Sequence, residues 1–234
     1  MSQQQMILNV TSRDSLRFDS FYAANEENKD VLALLIAFAE SYDRKQFFLW
    51  GETHSGKTHM LQACCYHATE RGQRVSYLPM KTLATYGSKA ARDLDSMDLI
   101  VIDDVDRVLG NADWEEALFD LINHCRTGKQ RLMFSSTQNP RFLECELPDL
   151  ASRLIWGETY TLHALTDDDK QKALLHRAKI RHLDISERVM DYLSRHYPRD
   201  MGSLLTILDV LDQESIRRQS KITIPFIKQV LDSY

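Results

Sequence analysis

Eight consecutive residues carry the densest chemistry in this sequence: Gly51-Glu52-Thr53-His54-Ser55-Gly56-Lys57-Thr58. They match G-x-x-x-x-G-K-[ST] at every fixed position. Glycines let backbone N–H groups turn inward around a phosphate, and Lys57 brings a point charge to the outer phosphates. The Thr58 hydroxyl can ligate Mg²⁺. A helix starting here would aim its positive end at the anion. The second feature is Asp98-Leu-Ile-Val-Ile-Asp103-Asp104, an apolar strand ending in two carboxylates. A buried strand has no structural need for two acids at its tip. A metal beside a phosphate loop needs one, and polarising an attacking water needs another. Asp103 is therefore read as the Mg²⁺ residue beside Thr58, and Asp104 as the water-positioning catalytic residue. A cap or solvated-turn role for Asp104 stays open. The third feature is Phe134-Ser135-Ser136-Thr137-Gln138-Asn139-Pro140. Its polar tip, Thr137 included, could sense a γ-phosphate, but ordinary turn chemistry before a proline satisfies the same string.

These groups need elements to position them. Gln46–Trp50 is a short apolar run, as expected of a buried parallel strand, and it feeds straight into the loop. His59–Arg71 reads as a helix stopped by Gly72. Further strands are expected at Arg74–Met80, Leu99–Ile102, Arg131–Ser136 and Glu158–Leu162. Amphipathic helices are expected at Lys29–Tyr42 and Ala112–Thr127. Strands separated by helical segments imply an α/β fold: a parallel sheet with helices on both faces. After Leu165 the strand signals stop. Thr166 suits the N-cap of a helix running to about Arg181. Ser186–His196, Asp200–Arg218 and Ile224–Leu231 continue in helical pattern, with Pro225 in a first turn. The organisation predicted is a tail over 1–12, an α/β base over 13–165 and a small all-helical subdomain over 166–234.

Bulk properties narrow the function classes. A 234-residue chain with 43% hydrophobic and 27% charged residues can bury a sizeable core. A net charge of −5 and a pI near 5.9 argue against autonomous binding to bare DNA, which favours a basic stripe. The four cysteines, Cys64, Cys65, Cys125 and Cys145, form no CxxC pair, so neither a zinc site nor a disulfide framework is expected. No apolar run approaches a membrane span, and the N-terminus has no signal-peptide pattern. A cytoplasmic protein is the expectation.

A phosphate loop, an acidic strand, a further strand with a polar tip and a helical C-terminal piece together resemble the AAA+ P-loop NTPases, whose helical piece is a lid. Phe18-Asp19-Ser20-Phe21 resembles the element near the adenine site of the bacterial replication initiator DnaA, which implies a base contact for Phe21. Leu147-Pro-Asp-Leu-Ala-Ser-Arg-Leu-Ile-Trp-Gly157 is similar to the initiator's segment bearing an arginine finger, and resembles still more that of the Hda family of DnaA-related regulators. Thr223-Ile-Pro-Phe-Ile-Lys-Gln-Val-Leu231 shares that likeness. The resemblance implies that Arg153 acts in trans on DnaA. It also implies that Gln5, Leu8 and Val10, in Gln5-Met6-Ile7-Leu8-Asn9-Val10, bind the β sliding clamp of DNA polymerase III. The implied function is regulation of replication initiation: a protein holding ADP (or ATP) with Mg²⁺ that links the clamp to DnaA and makes DnaA hydrolyse its ATP. DNA would be met only through the loaded clamp, no membrane is implied, and homo-oligomerisation is left open. DnaA carries a helix-turn-helix domain after its lid, whereas this sequence ends at Tyr234. One departure concerns the lid arginine that reads bound nucleotide: its position holds Gly202, with Arg199 one turn earlier as the substitute. That weighs against independent catalysis. An autonomous ATPase of helicase-loader type is the alternative.

Overall fold

The computed structural model describes residues 17–41, 46–198 and 200–231. They form two compact units, one built on Asn25–Ala164, the other on Asp19–Ala24 together with the residues from Leu165 onward.

In the first unit, helix α1 (Glu26–Glu40) is capped by Asn25, whose side chain accepts from the Asn28 N–H at 2.7 Å. Strand β1 (Gln46–Trp50) leads through the glycine loop into α2 (Lys57–Glu70). Then come β2 (Val75–Pro79), the short α3 (Met80–Leu83), β3 (Leu99–Asp103), α4 (Ala112–Thr127), β4 (Arg131–Ser136), α5 (Pro148–Leu154) and β5 (Glu158–Thr161). All strand pairings are parallel, in the order β2-β3-β4-β1-β5. The expected strands and helices are present: β1, α4 and β4 have the bounds expected, while the ends of the others shift by one to three residues, so that Lys57 and Thr58 already belong to α2. The sequence pattern over-ran the strand at Glu158 and did not separate α3 or α5 from loop, because neither spans enough turns to show a helical period.

Side chains alternate across the sheet and both faces are buried. Phe48, Ile100, Ile102, Leu132 and Phe134 join Trp114, Leu118, Leu121 and Ile122 of α4 in one core cluster. The alternating set Phe47, Leu49, Leu99, Val101 and Met133 is equally buried, on the face that α1 and α2 cover. The Phe38 ring of α1 lies 5.4 Å from that of Phe47. This is why β1 and β3 read as continuous apolar runs. Sheet order puts β1 between β4 and β5, with β3 on the far side of β4. The C-terminal tips of β1, β3 and β4 therefore open at one edge, where sheets of this kind bind ligands.

The second unit holds α6 (Asp167–Ile180), α7 (Glu187–His196), α8 (Met201–Arg218) and α9 (Ile224–Leu231). Thr166 caps α6 by accepting from the Asp169 N–H at 3.2 Å, and Asp200 caps α8 through the Ser203 N–H at 2.9 Å. Leu174, Met190, Leu193, Leu208, Leu211 and Ile227 are among its core residues. The segment Asp19–Ala24 packs with α6. Arg177, buried, donates from Nη1 to the Ser20 carbonyl at 3.2 Å, and His176 Nε2 lies 2.9 Å from the Asp19 carbonyl. Burial and the neighbouring Arg181 lower the Arg177 pKa to about 10. The four helices were expected from the sequence; the attachment of residues 19–24 to them was not, since α6 lies about 150 residues downstream. Among the described residues no helix is long and apolar enough to cross a membrane.

Candidate nucleotide site and the Arg153 helix

The loop between β1 and α2 takes a backbone path that depends on its glycines. Gly51 has no room for a side chain: a Cβ there would run into the Leu162 carbonyl and the Ser55 hydroxyl. Gly56 sits at φ 101° as the residue before α2, in a region glycine adopts without cost, and His54 is left-handed at φ 67°. Helix α2 starts without a side-chain cap and without an acid in its first turn, whereas α1, α4 and α6 have both. Its uncompensated N-terminus suits an anion. The Ser55 hydroxyl is buried with no hydrogen-bond partner. Lys57 is buried too, and its ammonium donates to the Gly51 and Glu52 carbonyls at 2.8 and 3.0 Å. Burial lowers the Lys57 pKa, against the opposing pull of Asp104, Asp103 and Asp106. Of the remaining loop residues, Glu52, Thr53 and His54 are exposed.

Asp103 is the hub of the site. The Thr58 hydroxyl donates to its Oδ2 at 2.9 Å, the Tyr77 phenol to the same oxygen at 2.6 Å, and the Ser135 hydroxyl to Oδ1 at 2.5 Å. Ser135 Oγ also accepts the Asp104 N–H at 2.8 Å, tying the tip of β3 to that of β4. Burial and the Asp103 carboxylate push the Tyr77 pKa up, so the phenol stays a donor. Asp104 takes a left-handed conformation, φ 56° ψ 52°, which Asp tolerates better than most residues. Its side chain makes no cap hydrogen bond, so the capping alternative has no support. Burial, then Asp103 and Asp106, raise its pKa, with Lys57 opposing.

The polar tip of β4 divides its labour. Thr137 commits both its hydroxyl, at 2.5 Å, and its N–H, at 3.1 Å, to Asp106 Oδ2. Ser136 donates to the Gln138 carbonyl, and Asn139 accepts the Arg141 N–H at 3.0 Å, which is turn chemistry. Asp106 went unread in the sequence, although D-D-x-D places a third carboxylate three residues past Asp103. Its Oδ1 is buried and unpartnered. The loop shape, the orphaned Ser55 hydroxyl, Lys57 and the Thr58–Asp103 contact fit a Mg²⁺–nucleotide. Thr58 and Asp103 would hold the ion. Among the described residues no three His, Cys, Asp or Glu side chains gather as a metal site of their own, so phosphate oxygens and water would complete the shell.

Arg153 lies in α5, a helix held at both ends. At its start, the buried Glu115 of α4 accepts the Glu146 N–H at 3.1 Å and the Leu147 N–H at 2.6 Å, and also the Gly110 N–H at 2.7 Å. At its end, the buried Gln46 amide donates to the Arg153 and Leu154 carbonyls at 2.8 and 3.1 Å. The Arg153 guanidinium donates from Nε to Asn123 Oδ1 at 3.1 Å and sits 5.8 Å from the Phe119 ring centroid. Among the described residues no carboxylate lies within ion-pair distance of it. Beside it Ile155 and Trp156 are 44% and 56% exposed, and Arg126 covers the Trp156 ring at 4.3 Å. Phe21 lies in the segment packed with α6. Gln5, Leu8, Val10 and Arg199 lie outside the described residues. Gly202 stands in the first turn of α8, where an added Cβ would meet only Asp200 Oδ1, at 3.3 Å.

Known proteins resemble both halves of this arrangement. A family model described as the bacterial DnaA ATPase domain matches residues 13–161, and one described as the Hda lid domain matches residues 167–231. Domain III of the replication initiation protein DnaA from Thermotoga maritima superposes with a TM-score of 0.74 at 18% identity, over 95% of this chain and 98% of that one. AMPPCP-bound DnaA from Aquifex aeolicus gives 0.68 at 20% identity, over 88% and 70%. The RuvB Holliday junction branch migration motor of Thermotoga maritima gives 0.62 at 14%, over 93% and 73%. The likeness to RuvB shows how widely the fold is shared; the two family matches are what set this chain apart from RuvB. The chain belongs to the bacterial DnaA ATPase-domain family of AAA+ proteins and carries an Hda-type lid.

Proposed function

We propose that this protein is a nucleotide-bound regulator of replication initiation. It links the DNA polymerase III sliding clamp to DnaA and completes the DnaA active site with Arg153, so that DnaA hydrolyses its ATP and cannot re-initiate. The observation that carries the proposal is the state of Arg153: a guanidinium with no carboxylate partner among the described residues, on a helix pinned at both ends, beside exposed Ile155 and Trp156. A guanidinium so placed is preorganised to meet an anion that another molecule brings. Entering a neighbour's site, it would stabilise charge on the transferring phosphoryl group, an effect on the order of a thousandfold or more. Gln5, Leu8 and Val10 would supply the clamp contact.

On this reading the protein's own nucleotide, ADP, has a structural or regulatory role. Lys57 and the loop hold the phosphates, and Thr58 and Asp103 hold Mg²⁺, which neutralises phosphate charge when bound. A second reading has its own support. Asp104 sits close enough to Lys57, Asp103 and Asp106 to feel their charges and caps nothing, as a water-positioning residue of an autonomous ATPase would. Reconstitution separates the two. Phosphate release is followed for DnaA–ATP with DNA-loaded clamp, with and without this protein, and for this protein alone. Stimulation that needs DnaA and clamp supports the regulator. Steady turnover by the protein alone, without stimulation, supports the autonomous ATPase.

A further inference from the structure

Four side chains from two elements of the sheet and one helix close into a hydrogen-bonded circuit. Tyr77 pairs with Val101 across β2 and β3, so its side chain shares a sheet face with that of Asp103, two residues on. Thr58 and Gln62 are one turn apart on α2, which covers that face. Gln62 Nε2 donates to the Tyr77 hydroxyl at 3.1 Å, which leaves the phenol's own hydrogen for Asp103 Oδ2 at 2.6 Å. Thr58 closes the circuit on the same oxygen at 2.9 Å.

The three hydroxyls on Asp103 are not equivalent. Ser135 holds Oδ1 from β4 and fixes one end of the carboxylate. Thr58 would itself be a ligand for the ion, so its bond to Asp103 cannot be what holds the carboxylate in place. Only Tyr77 fixes Oδ2 from a position that the ion does not share. Partners that orient a metal-binding carboxylate in this way set metal affinity, and removing one costs about 10- to 100-fold. We propose that Tyr77 is a positioning residue for Mg²⁺: it holds Asp103 in the rotamer the ion requires and so sets how much Mg²⁺ adds to nucleotide affinity. Gln62 aims the phenol. The inference rests on reading Thr58 and Asp103 as the Mg²⁺ pair.

The test is calorimetric titration of ADP into wild type, Tyr77→Phe and Asp103→Asn, each with Mg²⁺ and with EDTA, alongside melting curves in EDTA. The quantity read is the ratio of the two affinities, which a general loss of stability would not move. Wild type should bind more tightly with Mg²⁺. In Tyr77→Phe that advantage should fall about tenfold while the affinity in EDTA stays within about twofold. An undiminished Mg²⁺ advantage in folded Tyr77→Phe, with the advantage lost in Asp103→Asn, overturns the role of Tyr77 and leaves the metal pair intact. No Mg²⁺ advantage in wild type overturns both. If Tyr77→Phe does not fold, Gln62→Met serves instead: a reduced Mg²⁺ advantage supports the circuit and an unchanged one overturns it.

Discussion

Replacing Glu115 by Gln perturbs the Arg153 helix without changing the size of a single side chain. Glu115 is 1% exposed and accepts three backbone N–H groups: Gly110 and Glu146 on Oε1, Leu147 on Oε2. A glutamine has one acceptor oxygen. In its better orientation it keeps the two bonds on Oε1 and turns its own NH₂ toward the Leu147 N–H, donor against donor. The loss is one charge-assisted hydrogen bond, about 1.5–3 kcal/mol, and a buried N–H left unsatisfied, about 1–3 kcal/mol. These overlap, so about 3 kcal/mol is the expected destabilisation, which for a chain of this size lowers Tm by roughly 6–12 °C. Leu147 is the residue before α5, so the damage falls where the Arg153 helix begins. Urea unfolding followed by tryptophan fluorescence, which reports the α/β unit through Trp50, Trp114 and Trp156, reads the midpoint. ADP affinity should be nearly unchanged, because Glu115 makes none of the contacts of the phosphate loop. An unfolding midpoint equal to wild type would refute the pinning argument. So would full stimulation of DnaA hydrolysis by a variant destabilised as expected.

Three other outcomes follow from the same geometry. Lys57→Ala should lose at least about tenfold in ADP affinity, and with it the ADP-induced rise in Tm expected of the wild type by mass action; an equal rise in both proteins would contradict the site. Asp104 has a folded-state pKa raised above its unfolded value, so the folded state binds more protons and stability falls as pH rises through that window. Asp104→Asn should therefore raise the urea midpoint of the nucleotide-free protein at neutral pH, and the gain should fade as pH falls below about 4, where unfolded as well as folded Asp becomes neutral; a gain independent of pH would count against the cost of ionising a buried carboxyl beside two others as the cause. Gln5→Ala combined with Leu8→Ala should abolish clamp binding in a direct titration and leave ADP affinity untouched, and retained clamp affinity would remove the tail from the account.

The phosphate loop was legible because its chemistry is local: eight adjacent residues set a backbone shape, and a strand before and a helix after them confirm the context. Asp103 was legible for a similar reason, as an acid at the end of a buried apolar run. The partners of Asp103 were not. Tyr77 and Ser135 reach it only once β2 and β4 lie on either side of β3 in a defined register, with Leu78 opposite Ile102 and Ile102 opposite Phe134. Nothing short of the strand order supplies that. Glu115 and Gln46 were hidden by distance along the chain, meeting the Arg153 helix across 32 and 107 residues. A Glu next to another Glu in an amphipathic helix and a Gln at the start of a strand look like surface residues until the fold buries them. Thr137 left two readings open, a phosphate sensor or turn chemistry, and the fold commits both its donors to Asp106, a partner the string did not point to.

The central claim is that Arg153 works in another protein's site, and one measurement addresses it directly: ATP hydrolysis by DnaA–ATP with DNA-loaded clamp, in the presence of wild type or Arg153→Ala. Wild type should stimulate hydrolysis, and Arg153→Ala, still binding ADP and clamp, should lose that stimulation, by a factor on the order of a thousand if the finger acts on the phosphoryl group itself. Equal stimulation by the two proteins would contradict the account.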